Sequence, residues 1–173
     1  MFAGVNVLTQ NLNNLPYSSD SIQAATNLVN LIGDYSDQMQ AGPTGKAGIF
    51  KYNRPVVIPL IAALPPTQSQ SWIPLFASAI HMGSTEAILS PGTVSFAGWV
   101  VSIQDIAPPI ITTLSAAKPL LVSALASVTS GNNPTMPLAQ AIDTYFRSFT
   151  FSCTGLTLAG IVPTPLPVPF PAQ

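Results

Sequence analysis

Proline placement restricts this chain more than any other feature. Eighteen prolines are spread over 173 residues, and Pro163, Pro165, Pro167, Pro169 and Pro171 stand at every second position. Proline fixes φ, carries no amide hydrogen and collides with the carbonyl four residues earlier in a helix. Residues 163–173 therefore form no helix and are read as an extended tail. In a polyproline II conformation a tail of this length spans ~34 Å, against a radius of gyration of ~16 Å for a compact body of this size. Alternate amides of an extended chain point the same way. Those of Thr164, Leu166, Val168 and Phe170 can thus pair with one sheet edge while the prolines face away. The expected partner-binding residues are Pro163, Pro165, Leu166, Pro167, Val168, Pro169, Phe170 and Pro171.

Elsewhere proline marks helix starts, since the first turn has no intrahelical use for its missing amide hydrogen. A phrase of Pro, Leu, small residues and a final Leu or Ile recurs as PLIAAL (59–64), PLFASAI (74–80), PLLVSAL (119–125) and PLAQAI (137–142). Its intervals of 15, 45 and 18 residues exclude a repeat of fixed period. Before it, Asp20 offers a cap, and Ile22, Ala25, Val29, Ile32 and Met39 recur at spacings of three and four. The pattern predicts helices over 20–40, 70–82, 92–104, 109–129 and 135–149, the last with a stripe of Leu138, Ala141, Ile142, Tyr145, Phe146 and Phe149. Ser130 to Pro134 is a turn between the final two. Asp34 and Asp37 fall near the end of the first long helix, where the dipole disfavours anions and a neighbouring cation can compensate.

The expected fold is mainly α: an irregular bundle of about five helices, with a short strand or hairpin near 49–58 and 150–162. Residues 1–17, rich in Asn, read as an extended N-terminal arm, 18–162 as one helical domain and 163–173 as the tail.

Charge is scarce. Only 6% of residues are charged and the formal net charge is -1, where an ordinary domain has about 25% charged residues. Lys46, Lys51, Arg54, Lys118 and Arg147 make no basic stripe, so no nucleic-acid partner is expected. The uncharged stretches are interrupted by proline and polar residues too often for an integral membrane span, and the start, MFAGVNVLTQNLNN, lacks the cation of a secretory signal.

Catalytic sets are hard to assemble. His81 is the single histidine and Cys153 the single cysteine. A triad of His81 with Ser78, Ser84 or Glu86, or a dyad with Cys153, has no nucleophile elbow to support it. Ser115-Ala116-Ala117-Lys118 matches S-x-x-K without its companion motifs. AGPTGKAG has Gln40 where a P-loop needs Gly, and Ala47 where it needs Ser or Thr. One His and one Cys supply no zinc site, and no cofactor is implied. Trp72, Phe76, Phe96 and Trp99, at helical spacing, read as core or subunit contact; Lys46, Lys51, Arg54 and Arg147 read equally as a grip on a partner's carboxylates or a solvated surface.

Apolar, charge-depleted surfaces and extended termini suit a chain packed against others. The expectation is a non-enzymatic structural subunit of a large assembly, a virion component (bacteriophage capsid, neck, tail or baseplate) built in the host cytoplasm. Its partners are other subunits, in homo- and hetero-oligomers. A secreted or surface-associated adhesion module is the alternative, and a small Ser/Cys hydrolase using His81 the second.

Overall fold

The computed structural model describes residues 4–38, 46–64, 71–96, 99–102, 110–111, 113–128, 134–157 and 163–171. It is mainly helical, with α1 (Val5–Asn13), α2 (Ser21–Ser36), α3 (Arg54–Ala62), α4 (Trp72–Thr85), α5 (Leu114–Ala126) and α6 (Thr135–Arg147). Each helix packs on its neighbours in sequence, and α1 closes the circuit against α6.

Local chemistry explains the helix ends. The Asp20 carboxylate accepts hydrogen bonds from the amides of Ile22 (2.8 Å) and Gln23 (3.4 Å), satisfying two donors that α2 cannot. Ala25, Val29, Ile32 and Tyr35 bury its apolar stripe, whereas Ile22 stays exposed and Met39 lies outside the described residues. At the other end Arg54 supplies the expected cation, with Nη2 at 2.8 Å from both Asp34 Oδ1 and Asp37 Oδ2. The guanidinium crosses so close to Gly33 that a Cβ there would overlap it.

The α6 stripe is buried as expected, apart from a half-buried Leu138. Phe146 meets Phe50 and Tyr52, and Phe149 meets Phe50, in edge-to-face contacts with centroids 6.0–6.4 Å apart, while Tyr145 packs edge-on against Phe146 and Phe149 at 5.0 Å, an arrangement favoured by ring quadrupoles. Each such fully buried side chain contributes roughly 1.5–3 kcal/mol from removal of apolar area from water. Gly83 lets α4 approach this cluster, for a Cβ would overlap Tyr52 and Val57.

The strands are β1 (Lys46–Lys51), β2 (Ile88–Phe96), β3 (Trp99–Ser102), β4 (Ile110–Ile111), β5 (Thr150–Thr157) and β6 (Pro163–Pro171). They form an antiparallel sheet in which β1, β2, β3 and β5 pair in that order, and β5 pairs also with β4 and with β6.

Four local expectations change. Residues 5–13 of the supposed N-terminal arm are helical, because Val5, Leu8 and Leu12 form a stripe whose last two members are buried. The Val56-Val57-Ile58 part of the expected strand lies inside α3, where Pro55 suits the first turn and Val57 is fully buried; only its beginning is strand, in β1. The helix expected over 92–104 is replaced by β2 and β3, with Phe96 opposite Trp99. The β-branched and aromatic residues of these two runs favour strand pairing over the helical spacing. Finally, Ile110–Ile111 precede α5 as β4. Residues 150–157, left open between strand and helix, are strand.

Candidate functional site

The recurring Pro-Leu phrase has two structural meanings. Pro74 and Pro137 sit in the first turns of α4 and α6, as a helix-start reading requires. Pro59 and Pro119 sit inside α3 and α5 instead. Each deprives the carbonyl four residues earlier, of Pro55 or Ser115, of its helical donor. A proline in a helix interior costs about 3 kcal/mol relative to alanine.

Those prolines are not hidden. Pro59, Pro74 and Pro119 are exposed, and the leucine after each is too: Leu60 is 41%, Leu75 50% and Leu120 49% exposed. The fourth pair, Pro137-Leu138, is half-buried. Because α3 packs on α4 and α4 on α5, the three exposed pairs belong to adjacent helices. Met82 adds a further apolar side chain. Every exposed residue within these three helices is uncharged. Leucine is expected among buried residues, so a repeated exposed leucine beside proline on neighbouring helices is the informative departure. The repeated phrase was visible in the sequence, but only tertiary packing separates its exposed copies from the half-buried one.

The expected partner-binding tail is also placed. Its backbone forms β6, paired with β5 of its own chain: Leu156 opposes Pro163, Gly155 Thr164, Thr154 Pro165, Cys153 Leu166, Phe151 Phe170 and Thr150 Pro171. Thr164, Leu166 and Phe170 share one phase and Pro163, Pro165 and Pro171 the other. Val168, with Pro167 and Pro169, lies in the register shift.

The titratable residues form separate internal contacts. His81 Nδ1 lies 3.1 Å from the Tyr145 hydroxyl, so the imidazole meets α6. Burial and then the Lys118 charge lower its pKa. Burial pushes the Tyr145 phenol up, opposed by the Ser84 hydroxyl, which is buried beside it without hydrogen-bond geometry. Ser78 donates to the Pro74 carbonyl of its own helix (2.6 Å). The structure thus brings His81 and Ser84 to the same phenol, and the Ser84 residue is only 2% exposed. Cys153 is on β5; Ser115 is exposed and Lys118 half-exposed on α5.

Two of the four cations considered for partner binding are engaged within the chain. Arg54 holds Asp34 and Asp37, and Arg147 Nε donates to both Asp143 oxygens at 2.7 and 2.9 Å. Asp143 also accepts the Tyr35 hydroxyl proton. Lys51 is exposed. Trp72 and Phe76 make an edge-to-face pair on α4, 5.6 Å between centroids, while Phe96 and Trp99 are opposed in β2 and β3. Among the described residues no group of three His, Cys, Asp or Glu is placed to hold a metal.

One feature escaped the sequence reading altogether. A cleft of about 450 Å³ opens between α1 and α2, lined by Leu8, Asn11, Asn14, Asn27, Asn30 and Tyr35 among others. An extended residue 1–17 arm would have had no such groove.

Comparison with family models, curated proteins and solved structures found no match. Among the described residues no helix is long and apolar enough to cross a membrane.

Proposed function

We propose that this chain is a structural subunit of a large multi-protein assembly, packing against neighbouring subunits through the outer faces of α3, α4 and α5. The observation that carries the reading is the exposure of Pro59-Leu60, Pro74-Leu75 and Pro119-Leu120 on adjacent helices whose charged residues, Arg54 and Lys118, are only partly exposed. Interface cores are depleted of charged residues, and a patch of this kind is costly on a free surface. The two interior prolines point the same way. They weaken their own helices, add exposed apolar area and stiffen the surface against rearrangement. The assembly we propose is a virion, a bacteriophage capsid, neck, tail or baseplate; this choice rests on analogy with other charge-poor particle subunits.

Light scattering on the full chain at two concentrations and two salt levels tests the subunit reading. Association that added salt barely reverses is expected, because apolar contacts are not screened. The combined substitution Leu60→Glu, Leu75→Glu and Leu120→Glu should yield the single chain while retaining the helical circular-dichroism signal. A wild-type chain that remains an 18.1 kDa monomer under all four conditions overturns the reading. The virion choice is tested separately by mass spectrometry of purified particles.

A further inference from the structure

The register of β6 determines what that strand can join. β5 receives β3 and β4 along one edge, at Val101–Thr157, Ser102–Leu156, Ile110–Ser152 and Ile111–Phe151, so β6 lies on its other edge. Directly opposed residues in an antiparallel ladder alternate between pairs that exchange both backbone hydrogen bonds and pairs that exchange none. Pro163, Pro165 and Pro171 lack the donor that a bonded pair needs, and all three occupy one phase. Thr164, Leu166 and Phe170, which have that donor, occupy the other. Their amides face β5, and the proline nitrogens face outward. β6 therefore has a single pairing side and ends whatever sheet it joins.

Its hold on β5 is divided. Between the Phe151–Phe170 and Cys153–Leu166 pairs, three residues of β6 stand against Ser152 alone, leaving one short ladder at 150–151 and another at 153–156. Such a register shift disrupts the ladder locally. When such a strand leaves, the β5 edge loses its cover, and the segment that fits it best is another copy of β6.

We propose that in the assembled state β6 is exchanged between copies, the β6 of one chain pairing with the β5 edge of a second. This rests on the subunit reading above and names its partner. Pairing within and between chains makes the same contacts, so the balance is set by the effective concentration of the two acceptor edges. A one-sided donor also ends the sheet it joins, since the added strand offers no edge for a further one.

The Cys153–Leu166 pair provides the test. Opposed Cα atoms lie ~4.5–5.5 Å apart in such a ladder, within the range a disulfide spans. Wild-type chain, whose single thiol is Cys153 on β5, is co-expressed with a size-tagged Cys153→Ser, Leu166→Cys chain, whose single thiol is on β6. After mild oxidation the expected result is a hetero-disulfide dominating over either homodimer on a non-reducing gel. The Leu166→Cys chain alone, retaining Cys153, should then run mainly as covalent dimer and higher species. A chain that associates in light scattering but gives no hetero-disulfide, with the double-thiol variant closing within one chain, overturns exchange and leaves the subunit reading standing. A chain that never associates overturns both.

Discussion

Tyr35 on α2 donates its phenolic hydrogen to the Asp143 carboxylate on α6, 108 residues later in the chain. Arg147, one turn further along α6, holds the same carboxylate. The contact joins two helices that are not neighbours in the packing order, and it keeps a nearly buried carboxylate supplied with donors from both sides. Removing one partner of such a group leaves the other buried without compensation, typically at 3–5 kcal/mol in a fully buried pair. Arg147 is partly exposed, so the lower part of this range applies to Asp143→Ala.

That relationship predicts alkaline sensitivity. Burial is the first cause that raises the pKa of Tyr35, with its bond to Asp143 adding to it, and burial also raises Tyr52 and Tyr145. A group whose folded pKa is raised contributes stability that is intact below its unfolded value, about 10 for tyrosine, and is lost as pH rises from there toward the folded value. Melting temperature measured from pH 7 to 12 should therefore be flat at first and fall steeply above about pH 10. Tyr35→Phe should lower stability near neutrality yet make the alkaline fall shallower. A fall of unchanged slope in that variant would contradict the assignment.

His81 predicts the opposite limb. Its pKa is lowered, first by burial and then by Lys118, so its contribution is present above the unfolded value of about 6.5 and is lost as pH falls below it. His81→Gln retains a hydrogen-bonding group for Tyr145 but does not titrate. Stability of the wild type should decline as pH falls below about 6.5, and that decline should be smaller in the variant. Equal slopes in the two proteins would show that carboxylates alone govern this range.

The ion pairs of Arg54 are unequal. Asp34 is 77% exposed and Asp37 26%, and Asp37 Oδ1 also accepts the Tyr52 amide at 2.9 Å. Asp34→Ala should cost less than about 0.5 kcal/mol, as exposed pairs do. Asp37→Ala should cost about 1–3 kcal/mol, since it strips a backbone donor of its acceptor as well. Urea unfolding of both variants checks the order, and equal losses would contradict it.

Pro119 distinguishes surface from scaffold. Replacing it by alanine restores an amide donor to the Ser115 carbonyl inside α5. Unfolding free energy should rise, by roughly 1 kcal/mol once the greater freedom of the unfolded alanine chain is set against the helical gain. Association measured by light scattering should weaken in the same variant, because exposed apolar area is lost. A protein that is stabilised and associates as before would show that Pro119 has no part in the interface.

Much of the helical layout was legible because its signals are local. The Asp20 cap, the spacing of Ala25, Val29 and Ile32, and the stripe from Leu138 to Phe149 need only a helical period to be read. A compensating cation beside Asp34 and Asp37 was suggested by the helix dipole, though not that it would be Arg54. The errors occur where one local signal masked another. Asparagine between Val5, Leu8 and Leu12 suggested a loop, and the β-branched run at 56–58 suggested a strand; in both, burial against other helices decided for helix. Over 92–104 the aromatic spacing suited a helix, but in the described part of that range strand pairing won.

By itself the sequence determined where helices could not be, that the surface would be poor in charge, and that the 163–171 segment would be extended with its amides usable on one side. Those properties belong to single residues or to a short period, and no distant contact can alter them. Only the tertiary structure decided that three Pro-Leu pairs face outward on adjacent helices while the fourth is half-buried, that β6 lies against β5, and that His81 and Asp143 meet tyrosines far away in the chain. Those outcomes depend on which helices become neighbours, and a pattern of spacings along one segment carries no record of the segment packed against it.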